Sequence, residues 1–290
     1  MERENMFNER IGLAVQGGGT RGVFAAGVLD VLQEQGISFP AVYGTSAGSL
    51  CLANFLSGDL GRSRYIICTL MGDPRFVSVR NRIFRGTVFD FDYLFYEIPK
   101  SESPFDFAAF NDNKTRFGIV TTSLEDGGMK VFYKGQTPDP FKALAASSSL
   151  PLLSRPVYVE GDPYLDGGPA CSVPFAPGFS DGYEKMVVIA TRPIGFRKKG
   201  IKRLSARLAK SMYKQYPAFI KTYLHSPHIY NESMDELDRL EKEGKVFRLC
   251  PETSSKVGVA EKDEKKLEAL YAQGREVALK RLADLEGFLS

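Results

Sequence analysis

The 290-residue chain is 43% hydrophobic and 25% charged, proportions that exclude disorder as its main state. Its two histidines, His225 and His228, exclude a His-rich metal site or a multi-histidine relay. Its four cysteines, Cys51, Cys68, Cys171 and Cys250, lack C-x-x-C spacing and predict free thiols in a reducing compartment, and the net charge of +3 is unremarkable as a total.

The start, Met1 to Arg10, is rich in Glu, Asn and Arg, has no apolar stretch, and does not read as a secretory signal. No run approaches the roughly 18 to 20 apolar residues that cross a bilayer; Val23 to Leu32 comes nearest and is broken by Gly27 and Asp30. A soluble, cytoplasmic protein is expected, with peripheral membrane contact left open. No linker is evident. The expected organisation is an α/β core over 1–195 and a helical C-terminal extension, 196–290, packed on the same domain.

Ile11 to Gln16 is a short apolar run stopped by Gly17-Gly18-Gly19, which predicts a buried strand ending in a tight turn. Gly22 to Gln35 has apolar residues at helical spacing and closes at Gly36. Ala41 to Tyr43 predicts a second strand, followed by Gly44-Thr45-Ser46-Ala47-Gly48 and a helix to about Leu56. Strand, helix, strand, helix opens a βαβ unit on a parallel sheet. Arg116 to Leu124 and Met129 to Lys134 predict a hairpin across Glu125-Asp126-Gly127-Gly128. Phe141 to Ser149 predicts a short helix, Met186 to Thr191 a core strand, and the last hundred residues are expected to be mostly helical.

Gly17-x-Gly19-x-x-Gly22 sits between a strand and a helix, as a dinucleotide fingerprint would. The acidic residue that should hold a ribose is missing, because no Asp or Glu occurs between Glu34 and Asp59. A phosphate-binding P-loop fails too, since Val23-Phe24 stands where Lys-Ser/Thr is required. What remains is either a packing turn or a row of backbone N–H groups at a helix N-terminus, able to stabilise an oxyanion. Gly44-x-Ser46-x-Gly48 has the nucleophile-elbow pattern in the same strand–turn–helix setting. In a parallel sheet both loops emerge at one edge, so nucleophile and N–H donors can converge.

A serine hydroxyl needs a base. His225 could complete a Ser–Asp–His order, but His225-Ser226-Pro227-His228 resembles a surface loop. The alternative is a carboxylate acting directly. Asp126 reads as a hairpin turn, whereas Asp166-Gly167-Gly168 has no partner strand directly after it and leaves room for a carboxylate aimed into a site. These blocks, Gly17-Gly18-Gly19-Thr20-Arg21-Gly22, Gly44-Thr45-Ser46-Ala47-Gly48 and Asp166-Gly167-Gly168, resemble the signature of patatin-like phospholipases. So does Ala146-Ser147-Ser148-Ser149-Leu150-Pro151 ahead of the aspartate. The resemblance spans roughly residues 11 to 191, while Lys245 to Leu279 looks more like a bacterial subfamily than plant patatins. It implies a three-layer α/β/α fold with a mostly parallel central sheet, and lipid acyl-ester hydrolysis with no metal or cofactor. It implies Ser46 as nucleophile, Asp166 as base, and Gly17, Gly18 and Gly19 as the oxyanion hole. Arg21 matches the family's basic position, expected to orient the loop or meet a phosphate as a substrate- or anion-binding residue. Gln16 and Ser49 depart from the common pattern, which bears on loop geometry.

Between Phe84 and Phe110, nine of 27 residues are Phe or Tyr, about three times the chain average, which predicts an acyl-chain pocket, a lid or a helical core. Asp90 and Asp92 in that stretch read as solvated surface. Arg197 to Lys221 carries nine basic residues and no acid, leaving the rest of the chain net negative. Ile201, Leu204, Leu208, Met212 and Phe219 give it an apolar stripe. A basic amphipathic helix there suits an anionic lipid surface or a solvated face, and no motif supports nucleic acid. The expected function is a serine lipid acyl hydrolase of phospholipase A or lysophospholipase type. Alternatives are a hydrolase or acyltransferase using His225, and a non-catalytic lipid-binding protein.

Overall fold

The computed structural model describes residues 8–84 and 86–290; the first seven residues of the charged Met1–Arg10 segment lie outside the described residues. Eight strands form one sheet: β1 (Ile11–Val15), β2 (Ala41–Thr45), β3 (Arg116–Ser123), β4 (Met129–Tyr133), β5 (Val157–Val159), β6 (Asp162–Asp166), β7 (Lys185–Ile189) and β8 (Val246–Leu249). Strands β3, β2, β1, β7 and β8 run parallel in that order, and β4, β6 and β5 are attached by antiparallel pairing. β1 is buried at every position, which is why its sequence is an unbroken apolar run and not an alternating one.

The helices are α1 (Gly22–Glu34), α2 (Ala47–Leu56), α3 (Arg62–Cys68), α4 (Val79–Phe84), α5 (Ile98–Ser101) and α6 (Phe107–Asp112), then α7 (Pro140–Ser147), α8 (Ala176–Ser180), α9 (Arg203–Met212), α10 (Pro217–Lys242), α11 (Glu264–Lys280) and α12 (Leu282–Leu289). One sheet face, with Leu13, Val15 and Val42, packs against apolar residues of α1, α2 and α11. The other, with Ala14, Tyr43 and Val188, packs against Tyr230, Met234 and Leu237 of α10. The result is the expected three-layer arrangement. α1 and α11 touch backbone to backbone: a Cβ on Gly27 would lie 2.3 Å from the Tyr271 carbonyl oxygen, and one on Gly274 2.1 Å from that of Phe24.

Register brings the two ends of the site together. Val120 of β3 pairs with Thr45 on one side and Val131 on the other, while Thr121 pairs with Asp166 and Lys130. β2 and β6 therefore share one edge of β3 and meet head to head, Thr45 beside Asp166. The residue after Thr45 is Ser46. The sequence reading missed β5 and β6, whose short runs carry Pro163 and charged ends.

One further expectation is refined and three change. The C-terminal extension is mostly helical, as expected, and β8 adds an eighth strand to the core sheet beside β7. The basic stretch 197–221 is not one helix: residues 197–202 precede α9, which ends at Met212, and a turn over Tyr213 to Tyr216 separates it from α10, which starts at Pro217. Proline disfavours helical backbone in the residue before it, and Tyr216 is accordingly non-helical. His225 to His228 is not a loop but lies inside α10, with Pro227 accommodated within the helix; both imidazoles are still on the surface. Asp90 is buried and not solvated, its carboxylate accepting the Tyr93 N–H at the start of a π-helical turn over Tyr93–Glu97.

Candidate active site

Ser46 stands between β2 and α2 with φ +56° and ψ −130°, a backbone conformation that non-glycine residues rarely adopt. The turn can be this sharp because Gly48 has no side chain: a Cβ there would lie 2.4 Å from the Val15 carbonyl oxygen. The strain is held by a serine network. Ser46 N–H donates to Ser147 Oγ at 2.9 Å, Ser147 Oγ donates to the Val120 carbonyl at 2.6 Å, and Ser49 Oγ donates to the Ser46 carbonyl at 2.6 Å. Ser147 closes α7 and Ser49 opens α2, so two helices fix the elbow. Ser147 stood in a sequence block without an assigned role, and Ser49 was singled out only as a departure bearing on loop geometry.

Ser46 Oγ donates to Asp166 Oδ2 at 2.5 Å, with both side chains buried. The other carboxylate oxygen accepts the Gly168 N–H at 2.7 Å, and Thr122 Oγ1 donates to the Asp166 carbonyl at 2.8 Å. The Asp-Gly-Gly spacing thus supplies a short local turn that orients the carboxylate. Burial pushes the Asp166 carboxyl up to about 6; the Ser46 hydroxyl, the Gly168 N–H and the positive charge of Lys198 work against that rise. A carboxylate of raised basicity, within hydrogen-bond reach of a strained hydroxyl, can accept its proton near neutral pH.

The glycine loop faces the same space. Gly17 N–H is taken by the Ser172 carbonyl at 3.1 Å, so it is not available as a donor to a ligand. This corrects the three-glycine expectation: only the Gly18 and Gly19 N–H groups have no acceptor among the described residues. Gly19 has φ +58°, and a Cβ there would lie 2.1 Å from the Val259 carbonyl oxygen. That contact comes from the C-terminal extension. Thr20 N–H donates to the Val259 carbonyl at 3.1 Å, and Thr20 Oγ1 to the Gly258 carbonyl at 2.9 Å, so residues 258–259 clamp the loop. Gln16 fixes its base, Oε1 accepting the Thr191 N–H at 2.9 Å.

Two kinds of space meet at Ser46. On one side, an apolar cavity of about 60 Å³ is walled by Leu50, Ile67, Phe89 and Phe91, and a second of about 50 Å³ by Leu94, Phe95, Phe105 and Phe141. They share Ala47, Leu50, Ile66 and Ile67 as a common wall. The aromatic segment is therefore both core and lining. Arg62 closes the far end of the slot, hydrogen-bonded to Asn54 Oδ1 at 2.6 Å and stacked 5.1 Å from the Phe105 ring centre. On the other side, a polar cavity of about 260 Å³ contains Ser46, Asp166, the glycine loop, Arg21, Arg192 and Lys198.

His225 and His228 are not brought to the site: both are exposed, His228 facing Glu232, and neither bonds Ser46 or Asp166. Asp126 is the hairpin turn it resembles, its carboxylate accepting the Gly128 N–H at 2.8 Å. Among the described residues no group of three or more His, Cys, Asp or Glu side chains is arranged to hold a metal ion. No described helix is long and apolar enough to cross a membrane. The four cysteines are unpaired, as their spacing predicts.

Comparison with known proteins places this geometry in context. The family model described as patatin-like phospholipase matches residues 13–178, and one described as a domain of unknown function (DUF6363) matches residues 216–290. The uncharacterized protein YjjU of Escherichia coli is 27% identical over 249 residues, 83% of this chain and 68% of that protein. Lysophospholipase NTE1 of Scheffersomyces stipitis is 28% identical over 189 residues, 63% of this chain but 12% of its own length. The crystal structure of VipD from Legionella pneumophila superposes with a TM-score of 0.53 at 14% identity, covering 96% of this chain and 67% of that one, a likeness of fold.

Proposed function

The chain belongs to the patatin-like phospholipase family, and from that premise we propose that it is a serine lipid acyl hydrolase working through a Ser46–Asp166 dyad. One observation carries the reading: the 2.5 Å hydrogen bond from Ser46 Oγ to a buried carboxylate of raised basicity, beside two unengaged backbone donors. Asp166 takes the Ser46 proton as Oγ attacks the ester carbonyl carbon. The Gly18 and Gly19 N–H groups receive the developing oxyanion. Protonated Asp166 then gives its proton to the leaving alcohol as the ester C–O bond breaks, which leaves an acyl-enzyme. Water, deprotonated by Asp166, attacks the acyl carbon; collapse releases the fatty acid and returns the proton to Ser46. The apolar slot beyond Leu50 receives the acyl chain, and its narrow aromatic walls suit a single chain.

The substrate is presented at a lipid surface. Leu204, Leu208 and Met212 are 69%, 45% and 42% exposed and recur one turn apart on α9, among the exposed Arg203, Arg207 and Lys210. The α4 residues Val79, Ile83 and Phe84 are exposed as well. Both faces flank the 150–155 loop, whose Leu150 and Pro151 line the site. Arg155 N–H donates to the Gly86 carbonyl at 2.8 Å just after α4, and Leu152 N–H to Tyr213 Oη at 2.9 Å just after α9. Basic and apolar side chains around one mouth suit an anionic membrane. The contact surface is smaller than the sequence suggested, because Arg197 is paired with Asp235 and Asp238 and Lys198 lines the site.

The test is fatty-acid release from monoacyl and diacyl lipids by the wild type, Ser46→Ala, Asp166→Asn and His225→Ala. The dyad reading expects loss in the first two variants, by about 10³-fold or more, and near-wild-type rates in the third. A folded but inactive His225→Ala protein overturns it.

A further inference from the structure

The two oxyanion donors sit in the most pliable part of the site. Gly18 and Gly19 have no side chains, and glycine loses more backbone freedom on ordering than any other residue. A preorganised hole therefore needs pins from outside the pair. On the strand side, the Gly17 N–H is held by the Ser172 carbonyl, and the Gly17 carbonyl accepts from Thr191 Oγ1 at 3.3 Å. On the helix side the pin is Thr20, the middle residue of a short 3-10 turn over Gly19–Arg21 and only 2% exposed. Its N–H and Oγ1 donate to the Val259 and Gly258 carbonyls, and Oγ1 also accepts the Glu261 N–H at 3.1 Å. Three hydrogen bonds thus tie one residue to a segment, 258–261, far along the chain. That segment leads into α11, whose first turn is capped by Asp263 Oδ1 accepting the Lys266 N–H at 3.3 Å. α11 lies against α1 at Gly27 and Gly274, and Tyr271 Oη donates to Asp30 Oδ2 at 2.7 Å. α1 itself begins at Gly22, directly after the loop. Loop and clamp are therefore carried by two helices in backbone contact.

We propose that the C-terminal extension sets the oxyanion hole through this clamp, which makes Thr20 a positioning residue for catalysis. The region matching a domain of unknown function, residues 216–290, then has a share in the active site. The proposal rests on the acyl-hydrolase reading and adds the part that holds its donors in place. The Thr20 N–H fixes the peptide plane between Gly19 and Thr20, while Oγ1 bridges the Gly258 carbonyl and the Glu261 N–H and closes the segment around the loop. The left-handed φ of Gly19 and the close Val259 carbonyl hold Gly19 in one backbone state. Freed of the clamp, Gly18 and Gly19 regain other states, and a donor displaced by about 1 Å stabilises a developing oxyanion far less. The ester ground state carries little charge on that oxygen, so substrate binding depends much less on the clamp. Val259 adds a second link: it is 50% exposed and borders both the apolar slot and the polar cavity, where acyl chain and leaving group part.

The experiment uses the full chain with Thr20→Val, which removes the hydroxyl and keeps the branched shape, and Thr20→Ser, which keeps the hydroxyl. On a monomeric octanoyl ester, Thr20→Val is expected to lower kcat about ten- to hundredfold with KM within about threefold of wild type, and Thr20→Ser to recover most of kcat. The second readout is an octyl trifluoromethyl ketone. Ser46 Oγ adds to its carbonyl carbon, the Oγ proton passes to Asp166, and the carbonyl π electrons become a hemiketal oxyanion facing Gly18 and Gly19. Ketone affinity should fall in parallel with kcat/KM in Thr20→Val, while an octyl ether lacking the carbonyl binds as it does to wild type. Hydrogen exchange on the wild type needs no variant: the Thr20 and Glu261 amides should slow together with the ketone and not with the ether. An unchanged kcat in folded Thr20→Val overturns the proposal, as does equal weakening of ketone and ether, which marks general collapse of the site. Ketone-induced protection that leaves Glu261 unaffected overturns it as well, even where no Thr20 variant folds. Full hydrolysis by Ser46→Ala, measured with Thr20 intact, defeats the dyad reading instead, a result distinguishable from each of these.

Discussion

Replacing Asp166 by Asn should abolish hydrolysis and stabilise the protein at neutral pH. In the native state the carboxyl is raised from an ordinary 3.8 to about 6 by burial, whereas in the unfolded chain it returns to the ordinary value. Between those values the native state binds more protons than the unfolded state, so stability from this group is greatest at low pH and falls as pH rises to about 6. Above pH 6 the cost is fully developed. Two units at 1.36 kcal/mol each give about 3 kcal/mol at pH 7.5, falling to about 1 kcal/mol at pH 4.5. Asn keeps the shape, can still meet the Ser46 hydroxyl, and carries no charge to desolvate. Urea unfolding of both proteins at the two pH values measures the difference; every other titrating group is common to both and cancels. The reasoning is refuted if Asp166→Asn is no more stable than wild type at pH 7.5, or if its advantage does not shrink at pH 4.5.

The same carboxyl sets the acid limb of kcat/KM, which should fall about tenfold per pH unit below an apparent pKa of about 6. Because the charge of Lys198 favours ionised Asp166, Lys198→Met should move that limb to higher pH; a limb that stays in place denies the electrostatic link. Anionic vesicles should sediment the protein less well after Leu204→Glu/Leu208→Glu and in raised salt, and unchanged sedimentation under both conditions removes α9 from the membrane face. Leu50→Phe, on the wall shared by the two apolar cavities, should cost long-chain esters about tenfold or more while sparing acetyl esters. A uniform loss across chain lengths places the acyl group elsewhere.

What was legible in the sequence was local. The apolar run of β1, the glycine turn, the Ser46 elbow and the Asp166 turn each carry their backbone chemistry within about six residues, so type and order could be read directly. The meeting of Ser46 with Asp166 needed the family resemblance, since it depends on β2 and β6 sharing one edge of β3. β8 escaped because Arg248 interrupts its apolar pattern, and the neutralising Asp238 and Glu241 come from α10. Apolar spacing across 197–221 suggested one helix, while Pro217 divides it. Gly17 looked equivalent to Gly18 and Gly19 until Ser172 was seen to occupy its N–H. Arg192 and Lys198 lie more than 170 residues from Arg21, and nothing in their spacing announces a common cavity.

The central claim is that Ser46 is a nucleophile activated by Asp166 without imidazole. Its most direct test is covalent labelling with an alkyl fluorophosphonate, followed by mass spectrometry of the peptide carrying Ser46. The dyad predicts one adduct, on Ser46, absent in Ser46→Ala, formed at least about 10²-fold more slowly in Asp166→Asn, and at the wild-type rate in His225→Ala. An adduct on another serine, or a labelling rate that collapses in His225→Ala while Asp166→Asn labels normally, contradicts it.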